Sequence, residues 1–162
     1  MIRGLNEKDV DGMLEWMHDK SINCWFKTQF EQMSREQVQQ FVYDSFNDKN
    51  KNWAIVDNAD KYMGTISLKN ISIEDKNAEY AIVTKKEAHG TGLAYEATKD
   101  IIEYAFENLK LHRVYLNVLE ENQRANHFYK KCGFSYEGTS KEHIYIPDKG
   151  FCDLNWYAMV NK

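Results

Sequence analysis

The sequence contains one proline, Pro147, and only three cysteines, Cys24, Cys132 and Cys152. A single proline excludes a proline-rich linker or a polyproline segment. The cysteines form no Cys-x-x-Cys pair, and their odd number leaves at least one unpaired, so no disulfide framework is predicted. Free thiols are typical of a reducing compartment, so we expect a cytoplasmic protein. The five histidines show no ligand spacing with one another or with cysteine, and no metal site is predicted.

Long hydrophobic runs and an excess of basic charge are also missing. No apolar run approaches the roughly 18 residues of a membrane-spanning helix, and the opening residues MIRGLNEKD lack the apolar core of a signal peptide. The 21 Lys and Arg residues are outnumbered by 25 Asp and Glu residues, which gives a net charge of −4. We therefore expect neither a membrane nor a nucleic-acid partner. A chain of 162 residues is expected to form a single domain, over residues 1–162.

What the sequence does contain is a strand, a glycine-bearing turn and a long amphipathic helix in succession over residues 77–109. The strand is expected over residues 78–83, and apolar residues recur at helical spacing from Leu93 to Leu109. Two glycines in the turn let a ligand approach the backbone closely. The free amides and the dipole at the start of a helix attract an anion. The residues expected to hold that anion are His89, Gly90, Thr91, Gly92, Leu93 and Ala94.

Three kinds of phosphate loop can be tested on this turn. A Walker A loop requires Gly-Lys-Ser/Thr, which is absent. A dinucleotide fingerprint requires a third small residue where Tyr95 stands, and an acidic residue at the end of a following strand, which is also missing. A pyrophosphate loop of the form Gln/Arg-x-x-Gly-x-Gly/Ala agrees at Gly92 and Ala94 and differs only at His89. The third kind of loop is therefore favoured.

With this loop the chain resembles the GCN5-related N-acetyltransferase (GNAT) family, and in particular its RimJ/RimL-like branch. A second stretch, residues 111–138, also resembles that branch and contains its Asn-x-x-Ala-x-x-x-Tyr pattern from Asn122 to Tyr129. The resemblance covers nearly the whole chain. It implies an α/β protein of the GNAT (acyl-CoA N-acyltransferase) fold, a mixed central sheet of about six to seven strands flanked by about four helices. His89, where the family has Gln or Arg, is expected to tune phosphate affinity rather than remove it.

The resemblance also implies an activity, acetyl transfer from acetyl-CoA to a primary amine by direct attack in a ternary complex. Tyr129 would protonate the leaving thiolate, since a phenol is close to a thiol in pKa; alternatively its hydroxyl is satisfied within the core. Glu79 would be the base, unless it is an ordinary ion-paired strand residue. A backbone N–H near Ile82 or Val83 would hold the oxyanion and the pantetheine arm. Further cofactor contacts are expected from Asn122, which could equally be a helix cap, and from Phe128.

The acceptor is expected to be the amine of a small molecule or a peptide. Trp25 and Phe26 lie where this branch builds its acceptor pocket, although aromatic residues there also serve as core. The stretch EWMHDKSINCWFKT loosely resembles enzymes that acetylate amino sugars linked to nucleotides. The branch also contains acetylators of polyamines and of protein N-termini, and the acidic balance of the chain slightly favours a polyamine. The three acceptors remain open at this stage.

Two other functions also remain open. One is a non-catalytic acyl-CoA-binding or regulatory module with the same fold. The other is a nicotinamide-binding oxidoreductase, against which Tyr95 already counts.

The assembly state is also open. A homodimer is one alternative, because an edge among the last strands could pair with a second copy.

The remaining elements follow from caps and periodicity. Asn6 is expected to cap a first helix, and Ser34, with Gln37 three residues later, a second one. The apolar stripe of the second helix is Val38, Phe41, Val42, Ser45 and Phe46. Residues 21–33 between these helices are expected to be irregular. Strands are expected over residues 2–5, 53–56, 62–68, 114–118, 136–146 and 152–160, in the order β-α-α-β-β-β-α-β-α-β-β.

Overall fold

The computed structural model describes all of residues 1–162. Its strands are β1 Ile2–Gly4, β2 Lys51–Val56, β3 Tyr62–Ser72, β4 Asn77–Thr84, β5 Arg113–Leu119, β6 Ser135–Ile146 and β7 Gly150–Val160. Its α-helices are α1 Val10–Met17, α2 Lys20–Asn23, α3 Arg35–Tyr43, α4 Leu93–Glu103 and α5 Gln123–Lys131. None of these helices combines the length and the apolarity needed to cross a membrane.

The seven strands form one sheet in the order β1-β2-β3-β4-β5-β7-β6. All neighbours are antiparallel except β4 and β5, which run parallel. The parallel pair is joined through α4, as a parallel connection requires a crossover. This mixed sheet with flanking helices confirms the predicted α/β architecture.

Strand alternation sends side chains into two cores, one on each face of the sheet. The larger core lies under α4 and α5 and includes the fully buried Leu68, Tyr80 and Leu116. The smaller core lies under α1 and α3, whose Met13 and Val38 pack against β2 and β3. Helices cover both faces of the sheet. A ligand can therefore reach the centre of the sheet only at a place where two neighbouring strands separate.

Such a parting occurs between β4 and β5 after three residue pairs. Residues 77–79 pair with residues 113–115, and no pair joins the following residues of the two strands. β4 continues along β3 as far as Thr84, and β5 continues along β7 as far as Leu119. Each strand therefore keeps a partner on its outer edge, and the two inner edges border a gap in the middle of the sheet.

Residues 21–33 are more regular than the sequence indicates. The single turn of α2 forms because the carboxylate of Asp19 accepts a hydrogen bond from the Ser21 N–H at 3.0 Å, which caps the helix. A 3₁₀ turn, Phe30–Gln32, follows later in the segment. The segment was expected to be irregular because a turn this short leaves no apolar periodicity to detect.

The second predicted helix, α3, begins as expected and ends earlier. Ser34 and Gln37 form the predicted capping box, in which each side chain accepts a hydrogen bond from the other residue's backbone N–H. The helix ends before Ser45, so Ser45 and Phe46 lie beyond it. Phe41 is 39% exposed and Phe46 52% exposed. The apolar stripe therefore predicted the helix correctly and its length wrongly.

The long helix expected to reach Leu109 changes geometry before its end. The α-helix α4 passes into a π-helical turn, Tyr104–Asn108, and the Leu109 N–H donates to the Tyr104 carbonyl at 3.1 Å. The ring of Tyr104 packs edge-on against Trp53 with ring centroids 5.2 Å apart. A π-turn adds one residue to a helical turn without interrupting the apolar face, so periodicity alone does not detect it.

Candidate active site

A cleft of about 1000 Å³ passes through the gap between β4 and β5. On the side of α4 and α5, the loop of residues 89–92 and side chains of α5 form its wall. On the other face, the segment that follows α2 and parts of β6 and β7 line it, and Ile82 and Asn117 line it from the two parted strands. This volume suits a ligand of cofactor size. The cleft therefore offers two ends with different side chains, joined through the sheet.

The loop before α4 leaves four backbone amides without a protein acceptor. These are the N–H groups of Gly90, Gly92, Ala94 and Tyr95. Gly90 and Gly92 have φ angles of 78° and 84°, a left-handed conformation that favours glycine. A Cβ added at either glycine would meet no atom within 4 Å, so the space in front of the loop is open. Free amides at the positive end of a helix dipole are the donors that an anion requires.

Thr91 and Leu93 shape this loop. The Thr91 hydroxyl donates to the Ala88 carbonyl at 2.6 Å and accepts the Leu93 N–H at 3.3 Å. The side chain of Leu93 packs against the larger core and does not line the cleft. Of the six residues that the sequence assigned to the loop, Leu93 therefore faces away from the cleft, and its amide is engaged by Thr91.

Beside the loop, a guanidinium lies against the unexpected histidine. Arg124 Nη1 is 2.6 Å from His89 Nδ1, and because a guanidinium can only donate, Nδ1 carries no proton. Burial and, next, the charge of Arg124 lower the pKa of His89, which keeps the imidazole neutral. The positive charge at this corner thus belongs to Arg124. Sequence reasoning missed Arg124, although it stands two residues after Asn122 inside the pattern already identified.

In the gap, the backbone of β4 offers the N–H of Ile82. The Lys85 N–H donates to the Met63 carbonyl of β3 at 2.8 Å. Successive strand residues direct their N–H groups to opposite edges, so Val83 also faces β3 while Ile82 faces β5. Since β5 does not pair there, the Ile82 N–H is open to the cleft. Of the two amides named from the sequence, Ile82 points into the gap, and Val83 contributes its side chain to the wall.

Tyr129 combines a buried ring with an unpartnered hydroxyl. The residue is 8% exposed, and its ring packs edge-on against Tyr80 and Phe134. The protein contains no sealed side-chain oxygen or nitrogen that lacks a hydrogen-bond partner. No protein group bonds to this hydroxyl, so it must open into the cleft that Tyr129 lines. Burial, with a smaller effect of Cys132, raises the pKa of Tyr129 above its ordinary value.

Asn122 and Phe128 line the same wall, on α5. The Asn122 side-chain oxygen accepts a hydrogen bond from the Ala125 N–H at 3.3 Å, so the residue caps α5, which is one of the two roles expected for it. Its side-chain NH₂ has no protein acceptor and remains able to donate to a ligand. The ring of Phe128 lies against Tyr129 with centroids 5.6 Å apart. Both residues therefore line the same wall of the cleft as Arg124 and Tyr129.

Glu79 lies at the last paired position of β4 before the gap and does not line the cleft. Its carboxylate accepts a hydrogen bond from Asn70 Nδ2 at 3.2 Å and lies 3.5 Å from Lys69 Nζ. The side chain is 20% exposed. Glu79 therefore lies just outside the cleft, in contact with Lys69, which lines the cleft.

Trp25 and Phe26 bridge the gap on the face opposite α4. Trp25 packs against a small apolar cluster that includes Leu154 of β7. Phe26 packs instead with Trp16 and Phe30, at centroid distances of 6.3 and 5.5 Å, at the edge of the smaller core. Because two adjacent residues are anchored on opposite sides of the gap, the segment that carries them crosses the end of the cleft.

Comparisons with known proteins bear on the family and the fold of this chain. A domain model described as "Acetyltransferase (GNAT) domain" matches residues 1–135. The spermidine N(1)-acetyltransferase of Vibrio cholerae is 30% identical over 83% of this chain and 80% of its own length. The acetyltransferase PseH of Campylobacter jejuni is 26% identical over 88% of this chain and 87% of its own. A crystal structure of the V. cholerae spermidine N-acetyltransferase in complex with CoA and spermine has the same fold, with a TM-score of 0.89, 23% identity, and 99% and 94% of the two chains covered.

Proposed function

The chain belongs to the GNAT acetyltransferase family and is an acetyl-CoA-dependent N-acetyltransferase, and we propose that a primary amine attacks the acetyl group directly in a ternary complex. Residues 1–162 act as one domain in this proposal, because a single sheet carries both ends of the cleft. The observation that carries the proposal is the Tyr129 hydroxyl, which is protonated, unpartnered and open to the gap.

The residues present fit acetyl-CoA, whose thioester would supply the activated acetyl group. The free amides before α4 and the guanidinium of Arg124 are donors for its phosphates. The side-chain NH₂ of Asn122 and the ring of Phe128 would hold the pantetheine arm along α5. The Ile82 N–H, in the gap, would stabilise the negative charge that develops on the acetyl oxygen.

Tyr129 would act as the general acid. A buried phenol whose pKa is raised keeps its proton until a stronger base, the departing thiolate, is formed next to it. The ring is fixed by aromatic neighbours on several sides, so the hydroxyl is held in one place. Burial therefore keeps the proton on the Tyr129 hydroxyl, and the aromatic neighbours fix the position of that hydroxyl.

Direct attack is favoured over an acyl-enzyme because the neighbouring thiol is a poor nucleophile. Burial raises the pKa of Cys132 to about 11, and a thiol with this pKa is almost entirely protonated at neutral pH. No histidine or carboxylate forms a hydrogen bond with it. Cys132 is better understood as a side chain that packs against the larger core.

Glu79 remains the proposed base, acting through water because its carboxylate lies outside the walls of the cleft. Replacing Glu79 with glutamine is expected to lower kcat/KM about 100-fold at neutral pH, with partial recovery at high pH where the amine is already deprotonated. Steady-state rates between pH 6 and 10 measure this. Glu137→Gln is the matched control, a strand glutamate paired with Arg113 at the sheet edge. A loss below about threefold in Glu79→Gln would assign the residue to the ion pair alone.

Arg124 gives a test of the donor end. Arg124→Gln is expected to raise the dissociation constant of acetyl-CoA about tenfold and to weaken its dependence on salt, because a charge-assisted contact to phosphate is lost. Calorimetric titration at two ionic strengths measures both quantities. Arg35→Gln is the control, since Arg35 pairs with Asp11 on the surface. Unchanged affinity and salt dependence would place the phosphates elsewhere.

The acceptor is a primary amine, and the names of the relatives limit its chemical class only in part. The spermidine N-acetyltransferase of V. cholerae acts on a polyamine by name, and a structure under that name contains spermine, which makes a polyamine one candidate. An amino sugar linked to a nucleotide and a protein N-terminus are the others. We place the chain in the RimJ/RimL-like part of the family on its loop and Asn122–Tyr129 patterns, and in the cytoplasm, where free cysteines and acetyl-CoA occur together.

The assembly state is proposed as a closed oligomer built from at least a homodimer. The edge strand β6 exposes the rings of Tyr136 and Tyr145, and a spermidine N-acetyltransferase of V. cholerae forms a dodecamer.

The direct test of the function is mass-spectrometric detection of acetylated amine in a panel of amino-sugar nucleotides, polyamines, amino acids and peptides. Binding of acetyl-CoA with no acetylated product would favour the non-catalytic acyl-CoA-binding module.

A further inference from the structure

Apart from two tyrosines, Tyr95 and Tyr129, the ionisable side chains that line the cleft are all basic, although the chain as a whole is acidic. The net charge is −4 and there are 25 Asp and Glu residues, yet no carboxylate lines the cleft. The basic side chains that line it are Lys27, Lys69, His89, Arg124, Lys131 and His143. The acidic groups therefore lie outside, and an acceptor inside the cleft meets a field set by cations.

Three of these six side chains lie at the donor end, where phosphates account for them. His89 and Arg124 contact each other beside the phosphate loop. Lys131, on α5, lies with its ammonium 5.6 Å from the ring of Tyr95, in the first turn of α4. Acetyl-CoA is itself an anion, so a basic donor end follows from the proposed function and needs no other explanation.

The other three lie on the opposite face of the sheet, beyond the gap. Lys69 follows Leu68, which points into the larger core, so strand alternation directs Lys69 to the other face. His143 lies edge-on to Trp156, with ring centroids 6.2 Å apart, on that same face. Lys27 directly follows the aromatic pair that crosses this end of the cleft. No phosphate of the donor explains these side chains.

Lys69 has donors to spare. Its ammonium lies 3.5 Å from the Glu79 carboxylate and makes no hydrogen bond to any protein group. Glu79 is the residue opposite Lys69 in the register of β3 and β4, and it also accepts from Asn70. The carboxylate thus orients the ammonium at the border of the gap and leaves its N–H groups free for a ligand.

His143 is directed into the cleft by a bulge in β6. Three residues, 141–143, stand opposite the single Asp153 of β7 between the pairs Ser140–Leu154 and Ile144–Cys152. The Asp153 carboxylate holds the bulge by accepting the Glu142 N–H at 2.7 Å. A bulge re-aims a side chain that would otherwise follow the alternation of the strand. Here it places an imidazole at the acceptor end.

From this arrangement we infer that the acceptor is a primary amine that also carries an anionic group, a phosphate or a carboxylate, bound by Lys69, Lys27 and His143. The inference rests on the proposed acetyl transfer and specifies its second substrate. The anion is held by the two ammonium groups and an imidazole N–H of the far face while the amine enters the gap towards Tyr129. A free polyamine would be repelled at this end of the cleft, because its ammonium groups would lie beside lysines and no carboxylate lines the cleft to neutralise the positive charge.

The test compares matched acceptors on the full-length protein saturated with acetyl-CoA. The panel pairs phosphate-bearing amines, including an amino sugar linked to a nucleoside diphosphate, with their anion-free analogues, pairs amino acids with their amides, and includes spermidine. We expect the kcat/KM of the anionic member of each pair to exceed that of its anion-free analogue by at least about tenfold. We expect it to exceed the kcat/KM of spermidine by a similar factor. The phosphate and carboxylate arms show which anion is used. A preference for the anion-free members or for spermidine would overturn the inference.

A variant links the preference to the far face. Lys69→Met is expected to raise the KM of the anionic acceptor about tenfold with the acetyl-CoA dissociation constant unchanged. Lys49→Met, an exposed lysine outside the cleft, is the control and should change neither. Acceptor binding is also titrated calorimetrically with CoA-bound protein. Anion-dependent binding that Lys69→Met weakens, without any acetyl transfer, would support this inference and contradict the proposed function, and absence of anion-dependent binding would overturn the inference alone.

Discussion

Replacing Tyr129 with phenylalanine should lower kcat about 100- to 10,000-fold and leave the dissociation constant of acetyl-CoA within about twofold of the wild type. Phenylalanine keeps the aromatic packing against Tyr80 and Phe134 and removes only the hydroxyl. Since that hydroxyl has no protein partner, its loss leaves no buried group unpaired, and the fold should be undisturbed. The effect on kcat therefore reports the lost proton donor.

Thermal unfolding and a control variant separate this effect from a loss of packing. Tyr145→Phe removes a hydroxyl from an exposed ring at the far end of β6 and should be silent. The pH profile provides a second test of the same residue. Because the pKa of Tyr129 is raised above 10, its acid form persists as pH rises, and kcat should not fall on its account below pH 10. Unchanged turnover in Tyr129→Phe would remove the residue as the acid.

Replacing Gly92 with valine should abolish acetyl-CoA binding, with an increase in the dissociation constant of more than about 100-fold. The φ angle of Gly92 is 84°, where a β-branched residue is strained by about 1–3 kcal/mol. The Cβ would meet no protein atom within 4 Å, so its side chain would occupy the space where the phosphates approach the free amides. Both effects act on the donor site at once.

Gly150 offers a matched control for this variant. It has the same φ angle of 84°, and a Cβ there also meets no atom within 4 Å, but it is the first residue of β7, where the chain returns from β6, and lies outside the cleft. Gly150→Val should therefore lose a similar amount of stability and keep its affinity for acetyl-CoA. Calorimetric titration and thermal unfolding of the two variants measure the comparison. Retained affinity in Gly92→Val would show that the phosphate loop is misplaced.

The parts of the fold that could be read from the sequence are local. The phosphate loop and the start of α4 are determined within a few residues, by two glycines with positive φ and by the helix dipole. The caps at Ser34 and Asn122 are likewise local hydrogen bonds and are present in the structure, and Asn6 caps a 3₁₀ turn, Glu7–Asp9, that leads directly into α1. A short-range signal of this kind survives in a single sequence because the donor and the acceptor are neighbours in the chain.

The parts that could not be read depend on residues far apart in the chain. The gap exists because β4 and β5 stop pairing after Glu79, which only the packing of the whole sheet decides. The contact of His89 with Arg124 joins residues 35 positions apart, and the bulge that directs His143 into the cleft depends on Asp153 of another strand. The charge of the cleft is a further case, because its lining is basic although the chain as a whole carries a net charge of −4.

One mass-spectrometric experiment tests the central claim of direct transfer. The protein is incubated with acetyl-CoA alone, its intact mass is measured, and the amine panel is then added and both protein and amines are measured again. The account predicts no change in the mass of the protein at either step and an acetylated amine after the second. A protein that gains an acetyl group from acetyl-CoA alone and loses it to the amine would contradict direct attack, and acetyl-CoA binding without any acetylated amine would contradict catalysis in this cleft.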